Sequence, residues 1–233
     1  MAKYVNLTTV STPDHVRERT ILDATAELLL RIGYNKLTMG DVADAVSLHR
    51  GLVYLVFKSK DELVEAVVHD ELSRYADAWR EHLEADPRAG DVASVYRAMM
   101  GALKTLPLAA AIVARAEDVF GKYLRKRGSV FERLPEISGS GDFLRAMREA
   151  GAVHRDVDVR AVAYILDALT PAIRRAFQEP ASGDVPSSAA VLAVLEEMIE
   201  CAVPPAEGAD LAAGKAILLN LLTGARSAFN EAR

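Results

Sequence analysis

Residues 36 to 63 (KLTMGDVADAVSLHRGLVYLVFKSKDEL) constrain the fold more than any other stretch, because they read as two short helices meeting at a tight turn. Thr38 stands at an N-cap position, and Asp41 follows three residues later, close to a capping-box pattern. Val42 and Val46 give the first short helix, about 39 to 46, one apolar stripe, with Ala43 and Ala45 as small companions. Ser47 and Leu48 break it. A second short helix runs from about His49 to Leu55 and closes on Phe57. Ser59 is the next cap, and Glu62 completes an S-x-x-E box that opens a much longer helix, to about Glu84. Two short helices held by such a turn can present the second one to the major groove of DNA.

The rest of the chain reads as all-helical. Its 233 residues suffice for a sizeable core, as one large or two smaller domains. Gly and Pro cluster between segments, Ala, Leu and Val lead the apolar set, and strand-like alternation is scarce. One cysteine, Cys201, excludes a disulfide within the chain and suits a reducing cytoplasm. The first thirteen residues hold no apolar signal core, and the longest uncharged apolar run, Leu106 to Ala114, is too short to span a bilayer. A cytoplasmic protein with no membrane partner is the expectation. Net charge is −5, but it is unevenly placed. Residues 1 to 63 hold eight Lys/Arg and eight Asp/Glu, so the remainder carries the whole excess of acid. Between Asp44 and Asp61 there is no acid, while His49, Arg50, Lys58 and Lys60 are present. Phosphate affinity follows that local arrangement rather than the pI of the whole chain.

Upstream, Thr12 is a candidate cap with Pro13 at the first helical position, and Ile21, Ala24, Leu28, Leu29 and Ile32 line one face of a first helix. Downstream, Asp86 to Gly90 is a breaker, and a helix from Val92 to about Leu106 follows it. Pro107 opens another that reaches, with a bend, Arg127; Gly128 to Gly141 is a loop with at most one short helix. Asp142 caps a helix that stops at Gly151. The next, from Asp156 to Asp158 onward to about Gln178, carries Val159, Val162, Leu166, Leu169 and Ile173 as a buried stripe, with a kink expected at Pro171. Ser187 caps a helix to about Val203, with Val191, Leu192, Leu195, Met198 and Ile199 apolar. After a hinge at Pro204 to Gly208, a last helix runs from about Ala209 to Asn230. The helices 158–178 and 188–203 expose more apolar surface than one small bundle hides, so pairing with the same two helices of a second copy is expected.

The ordered set Gly33-Tyr34, Leu37-Thr38, Gly51-x-x-Tyr54-x-x-Phe57-Lys58-Ser59-Lys60-x-x-Leu63, preceded by Arg17 to Ile32, resembles the DNA-binding domain of the TetR family of bacterial regulators. The resemblance covers roughly residues 14 to 65. It implies an all-α protein: an N-terminal three-helix helix-turn-helix DNA-binding domain, residues 1–60, and a larger C-terminal helical ligand-binding and dimerisation domain, residues 61–233. It further implies a homodimer on a pseudo-palindromic double-stranded DNA operator, most often a repressor, released by a small, largely apolar effector. Two recognition helices about one DNA turn apart, roughly 34 Å or a multiple, read such a site. Four positions depart from the family's pattern: Ser47 where the turn usually has Gly, His49 where Ser or Thr is usual, and Leu52 and Val56 on the second short helix. They motivate an alternative, a small-molecule-binding or scaffold protein of the same fold with little sequence-specific DNA binding. The last helix exceeds the usual family length and is expected over the dimer interface.

The candidate DNA contacts are Arg17, Thr38, His49, Arg50, Gly51, Leu52, Tyr54, Lys58 and Lys60. Arg50 can donate two hydrogen bonds to a guanine edge or clamp a phosphate. His49 can reach a base or phosphate, or only cap its helix. Gly51 permits close backbone approach, and Leu52 offers apolar contact to a thymine methyl. Tyr54 is, by resemblance, a phosphate contact. Thr38 and Lys60 stand at helix N-termini, which favour phosphate, and Arg17 can reach the flanking backbone. For the effector, the resemblance implies a pocket walled by Trp79, Tyr96, Met100, Leu103, Phe120, Tyr123, Phe143, Met147 and Tyr164, with Tyr75 and Met99 beside them. Aromatics and methionines at helical spacing also serve as plain core. No cofactor is called for.

No catalytic constellation stands out, and an enzyme is not expected. Cys201 lies on an apolar helix with no histidine nearby, which reads as a buried thiol. The histidines at 15, 49, 69, 82 and 154 show no i+3 or i+4 pairing, so no metal site is expected. Gly208 to Lys215 (GADLAAGK) faintly resembles a phosphate loop, but five residues separate its glycines and Ala216 stands where Ser or Thr belongs.

Overall fold

The computed structural model describes residues 13–133, 140–178, 186–205 and 207–231, which are helical with no strand among them. Helices α1 (Pro13–Lys36), α2 (Met39–Ala45) and α3 (Arg50–Val56) precede the long α4 (Lys60–Ala85). Then come α5 (Val92–Thr105), α6 (Pro107–Ala114), α7 (Glu117–Phe120), a 3-10 turn (Gly121–Arg125) and α8 (Val130–Arg133). The chain closes with α9 (Ser140–Glu149), α10 (Val159–Gln178), α11 (Ser188–Ala202) and α12 (Leu211–Glu231).

The helix starts follow the capping chemistry of the sequence. Thr38 Oγ1 accepts from Asp41 N, and the Asp41 carboxylate accepts from Thr38 N at 2.8 Å, a complete capping box. Those bonds hold the Asp41 carboxyl below its ordinary pKa. Ser59 Oγ accepts from Glu62 N at 3.1 Å, but the Glu62 carboxylate takes the N–H of Lys58 rather than Ser59, one residue earlier than an S-x-x-E box predicts. Ser187 caps α11 through Ala190 N. Thr12 lies outside the described residues. Asp142 falls inside the first turn of α9, not at its cap, because that helix already begins at Ser140.

The turn between α2 and α3 places Ser47 at φ 53. A left-handed backbone costs a residue with a Cβ roughly 1–2 kcal/mol. Ser47→Gly is therefore expected to stabilise the protein by about 0.5–1 kcal/mol, partly offset by the freer unfolded chain. A thermal melt should rise by about 2 °C.

Packing runs across residue 60 without a break. The largest core cluster joins Ile21 and Leu29 of α1, Val42 of α2, Val53 of α3 and Leu63 of α4 to Phe120, Tyr123 and Phe131 of α7, the 3-10 turn and α8. Tyr34 and Tyr123 lie 4.8 Å apart between ring centroids, as do Phe120 and Phe131. Ion pairs reinforce the same junction: Arg19 and Arg74 reach Asp70, Arg74 also meets Asp23, Lys126 meets Asp61, and Arg133 meets Glu65. Three further clusters fill the remaining helices, the largest made by α5, α9, α10 and α11 around Leu144, Met147, Leu166, Leu195 and Ile199.

Several expectations are corrected here. The helix from Pro107 does not bend onward to Arg127; it ends at Arg115, whose φ of 51 breaks it, and α7 and the 3-10 turn are separate pieces. Helix α12 packs mainly on α4, and also on α9, with Arg80 Nη2 donating to Thr223 Oγ1 at 3.0 Å. In the GADLAAGK segment, a Cβ on Gly214 would sit 2.2 Å from the Gly90 carbonyl oxygen, so glycine there serves a close backbone crossing. Cys201 is exposed on α11 and not buried. Ile173 has no described side chain. No single helix among the described residues is long and apolar enough to cross a membrane.

Candidate nucleic-acid interface

Helix α3 is held from one side only. Val53 is fully buried, Leu52 and Val56 are half-buried beside it, and Arg50, Gly51, Tyr54 and Leu55 are exposed. Residues advance about 100° per position around a helix, so Gly51 and Leu55 point away from the core, with Arg50 and Tyr54 along one flank. Sequence reasoning missed Leu55, whose 68% exposure makes it the most exposed large apolar side chain of the N-terminal helices. Its signal was available, two residues past the buried Val53.

The flank is preorganised. Arg50 Nη2 donates to Tyr54 Oη at 3.2 Å, and the guanidinium stands 5.4 Å from the Tyr54 ring centroid. The tyrosine oxygen thus accepts from arginine and keeps its own proton to donate outward. His49 is the N-cap of α3, its Nδ1 facing Gly51 N at 3.5 Å, which leaves Nε2 to face solvent. Gly51 has no packing reason to be glycine: an added Cβ would meet only His49 Nδ1, at an ordinary 3.7 Å. Lys58 is exposed and donates to Leu55 O at 3.2 Å. Thr38 is exposed but engaged with Asp41, and Arg17 is paired with Asp14 at 2.9 Å.

Lys60 behaves differently from its neighbours. Its ammonium donates to Tyr34 O at 2.8 Å and Leu37 O at 2.9 Å and lies 4.0 Å from the Tyr34 ring centroid. It satisfies carbonyls at the end of α1, and burial holds its pKa below the ordinary lysine value. Tyr34 in turn donates to Asp61, and burial together with that bond raises its pKa. Lys60 therefore joins α1 to α4.

The predicted effector residues do not form one wall. Phe120 and Tyr123 pack into the N-terminal core, where burial lifts the Tyr123 hydroxyl to about 12. Tyr164 is 78% exposed on α10. Met147 belongs to the α9–α10 cluster, and Trp79, Tyr96 and Phe143 pack around Leu83 and Leu218. Met100 and Leu103 join Tyr75 and Ala109 between α4, α5 and α6. Tyr96 and Met100 do meet, in an open cleft of about 280 Å³ between α5 and α11, with Lys104, Leu192 and Glu196. Among the described residues no three His, Cys, Asp or Glu side chains come together as a metal site.

An all-helical body behind a short helix-turn-helix whose second helix faces outward defines the class of helix-turn-helix proteins. Residues 21–67 match the family described as bacterial regulatory proteins, tetR family. The HTH-type transcriptional regulator BetI of Escherichia coli is 29% identical over 86 residues, 37% of this chain and 44% of its own length. The match thus spans less than half of that relative. Two solved structures share the fold: a protein from Rhodococcus sp. described as a TetR-family transcriptional regulator (TM-score 0.55, 21% identity, 80% of this chain and 98% of that one) and a gamma-butyrolactone receptor (TM-score 0.51, 20% identity, 91% and 98%).

Proposed function

We propose that the protein is a ligand-responsive transcriptional regulator, a repressor, that binds a pseudo-palindromic double-stranded operator as a homodimer in the cytoplasm. The observation that carries this reading is the outward face of α3, where exposed Arg50, Tyr54 and Leu55 surround a glycine that the fold itself does not require. Arg50 reads a guanine edge, Leu55 and Leu52 meet thymine methyls, and Tyr54, Lys58 and His49 hold phosphates. Thr38 and Arg17 position the flanking backbone.

A second apolar face supplies the dimer. Tyr164 and Ile165 of α10 and Val194 and Met198 of α11 are all more than half exposed, and no described element covers them. Two copies joined through these helices form an isologous interface and present two recognition helices to two half-sites. A small, largely apolar effector held among the C-terminal helices favours the DNA-incompetent state, and DNA weakens its binding reciprocally.

Arg50→Ala tests the reading. With a duplex carrying the operator, the variant is expected to lose about 1–3 kcal/mol of binding energy, roughly 5- to 150-fold in Kd, while its melting temperature stays unchanged. Fluorescence anisotropy across a salt series measures both affinity and salt slope; equal affinity for the two proteins would remove Arg50 from the interface.

A further inference from the structure

The side chain of Tyr75 is 94% buried among apolar groups, and its hydroxyl has no hydrogen-bond partner among the described residues. Tyr75 lies in the middle of α4, packed with Met100 and Leu103 of α5 and Ala109 of α6. Burial raises the phenol's pKa, so the group stays a hydrogen-bond donor. A buried donor left without an acceptor is unfavourable, and native cores rarely retain one unless something else satisfies it. The surroundings also define what that acceptor can be. The hydrophobic side chains packed around Tyr75 favour a neutral ligand group over a charged one.

A cleft adjoins the cluster. Met100 and Leu192 belong both to this cluster and to the wall of the open α5–α11 cleft, whose volume of about 280 Å³ is near the lower end for small-molecule sites. Met100 is unbranched and adapts its shape readily, so it is the side chain best able to yield between the cleft and the cluster that holds Tyr75. Tyr75 stands on α4, the helix that follows α3 in the chain and begins at Lys60. A ligand that displaces it acts directly on the element that carries the recognition helix.

We propose that the Tyr75 hydroxyl anchors a neutral, mainly apolar effector through a single hydrogen-bond acceptor such as a carbonyl oxygen, admitted past Met100 and Leu192. This inference rests on the reading of the C-terminal helices as an effector-binding body. The test uses the full chain and two probes of one skeleton, 4-phenylbutan-2-one and butylbenzene, which differ only by the carbonyl oxygen. Trp79 is the only tryptophan and its ring lies 5.8 Å from that of Tyr75, so its emission reports occupancy. The wild type should bind the ketone more tightly than the hydrocarbon, and Tyr75→Phe should lose about tenfold in ketone affinity, the worth of one hydrogen bond, with the hydrocarbon unaffected. The melting temperature of Tyr75→Phe should stay equal or rise. A lowered melting temperature, equal binding of the two probes by the wild type, or no change in Trp79 emission with either would each overturn the proposal. Because the readout involves no DNA, such a failure leaves the operator-binding reading to be decided separately by Arg50→Ala.

Discussion

Replacing Gly33 with alanine is expected to destabilise the protein by about 3 kcal/mol and to lower its melting temperature by about 6–12 °C. Gly33 sits inside the span of α1 with φ 72 and ψ 160, a backbone conformation that is essentially reserved to glycine. The conformation is only half of the effect. An added Cβ would lie 2.6 Å from the carbonyl oxygen of Asp118, a backbone atom of α7 that cannot swing aside as a side chain would. The kink re-aims the last residues of α1, so that the Tyr34 and Leu37 carbonyls meet Lys60 and the Tyr34 hydroxyl meets Asp61. Alanine would thus strain the local backbone and loosen the joint between the first three helices and the remainder. Gly51→Ala is the matched control, because its Cβ enters ordinary space and should leave the melting temperature unchanged. A circular dichroism melt of the two variants checks the expectation; equal midpoints would show that α7 yields to α1.

The second large effect is expected at the exposed face of α10 and α11. Ile165 and Val194 are 54% and 56% exposed, and in the proposed two-fold dimer each would enter the interface twice. The double substitution Ile165→Asp, Val194→Asp would bury four unpaired carboxylates in a dimer, at several kcal/mol in total. Dimerisation should weaken by about 1,000-fold or more, at 1.4 kcal/mol per factor of ten. Sedimentation equilibrium should show a monomer at micromolar concentration with unchanged helical content. Operator affinity should fall by about 100-fold or more, since the two half-sites are no longer engaged by one particle. An unaltered dimer would place the subunit contact elsewhere.

The division between what could and could not be read from the chain follows the range of the interactions involved. Caps are local, and Thr38, Ser59 and Ser187 all start helices where their side chains reach an N–H within three residues. The kink at Gly33 and the left-handed residues Ser47 and Arg115 depend on where the flanking helices must go. Ser47 stood at a position already marked as a turn; Arg115 ends the apolar run from Leu106, but the sequence gave only a bend without a place between Pro107 and Arg127.

Side-chain destinations were harder. Lys60 looked like a phosphate contact by its place at a helix start, yet the free carbonyls of α1 lie nearer than any solvent-side partner. Phe120 and Tyr123 have the spacing of pocket aromatics, but periodicity cannot say which of two cores an aromatic joins, and both belong to the N-terminal one. Tyr164 and Cys201 read as interior residues because their helices are apolar on more than one side. The same surplus gave the expectation of a second copy, and Tyr164, Ile165, Val194 and Met198 are exposed there. Tyr75 showed only as one more aromatic, since the lack of a partner for its hydroxyl is a property of three helices together.

Selection of bound duplexes from a random DNA pool, with the purified full chain at moderate salt and Arg50→Ala in parallel, decides whether the protein reads DNA sequence. A sequence-specific dimeric regulator should enrich a motif of two related half-sites, and Arg50→Ala should lose it. A folded dimer that enriches no motif and binds no DNA at low salt would contradict that reading, and would leave a small-molecule-binding or scaffold protein on a regulator's fold.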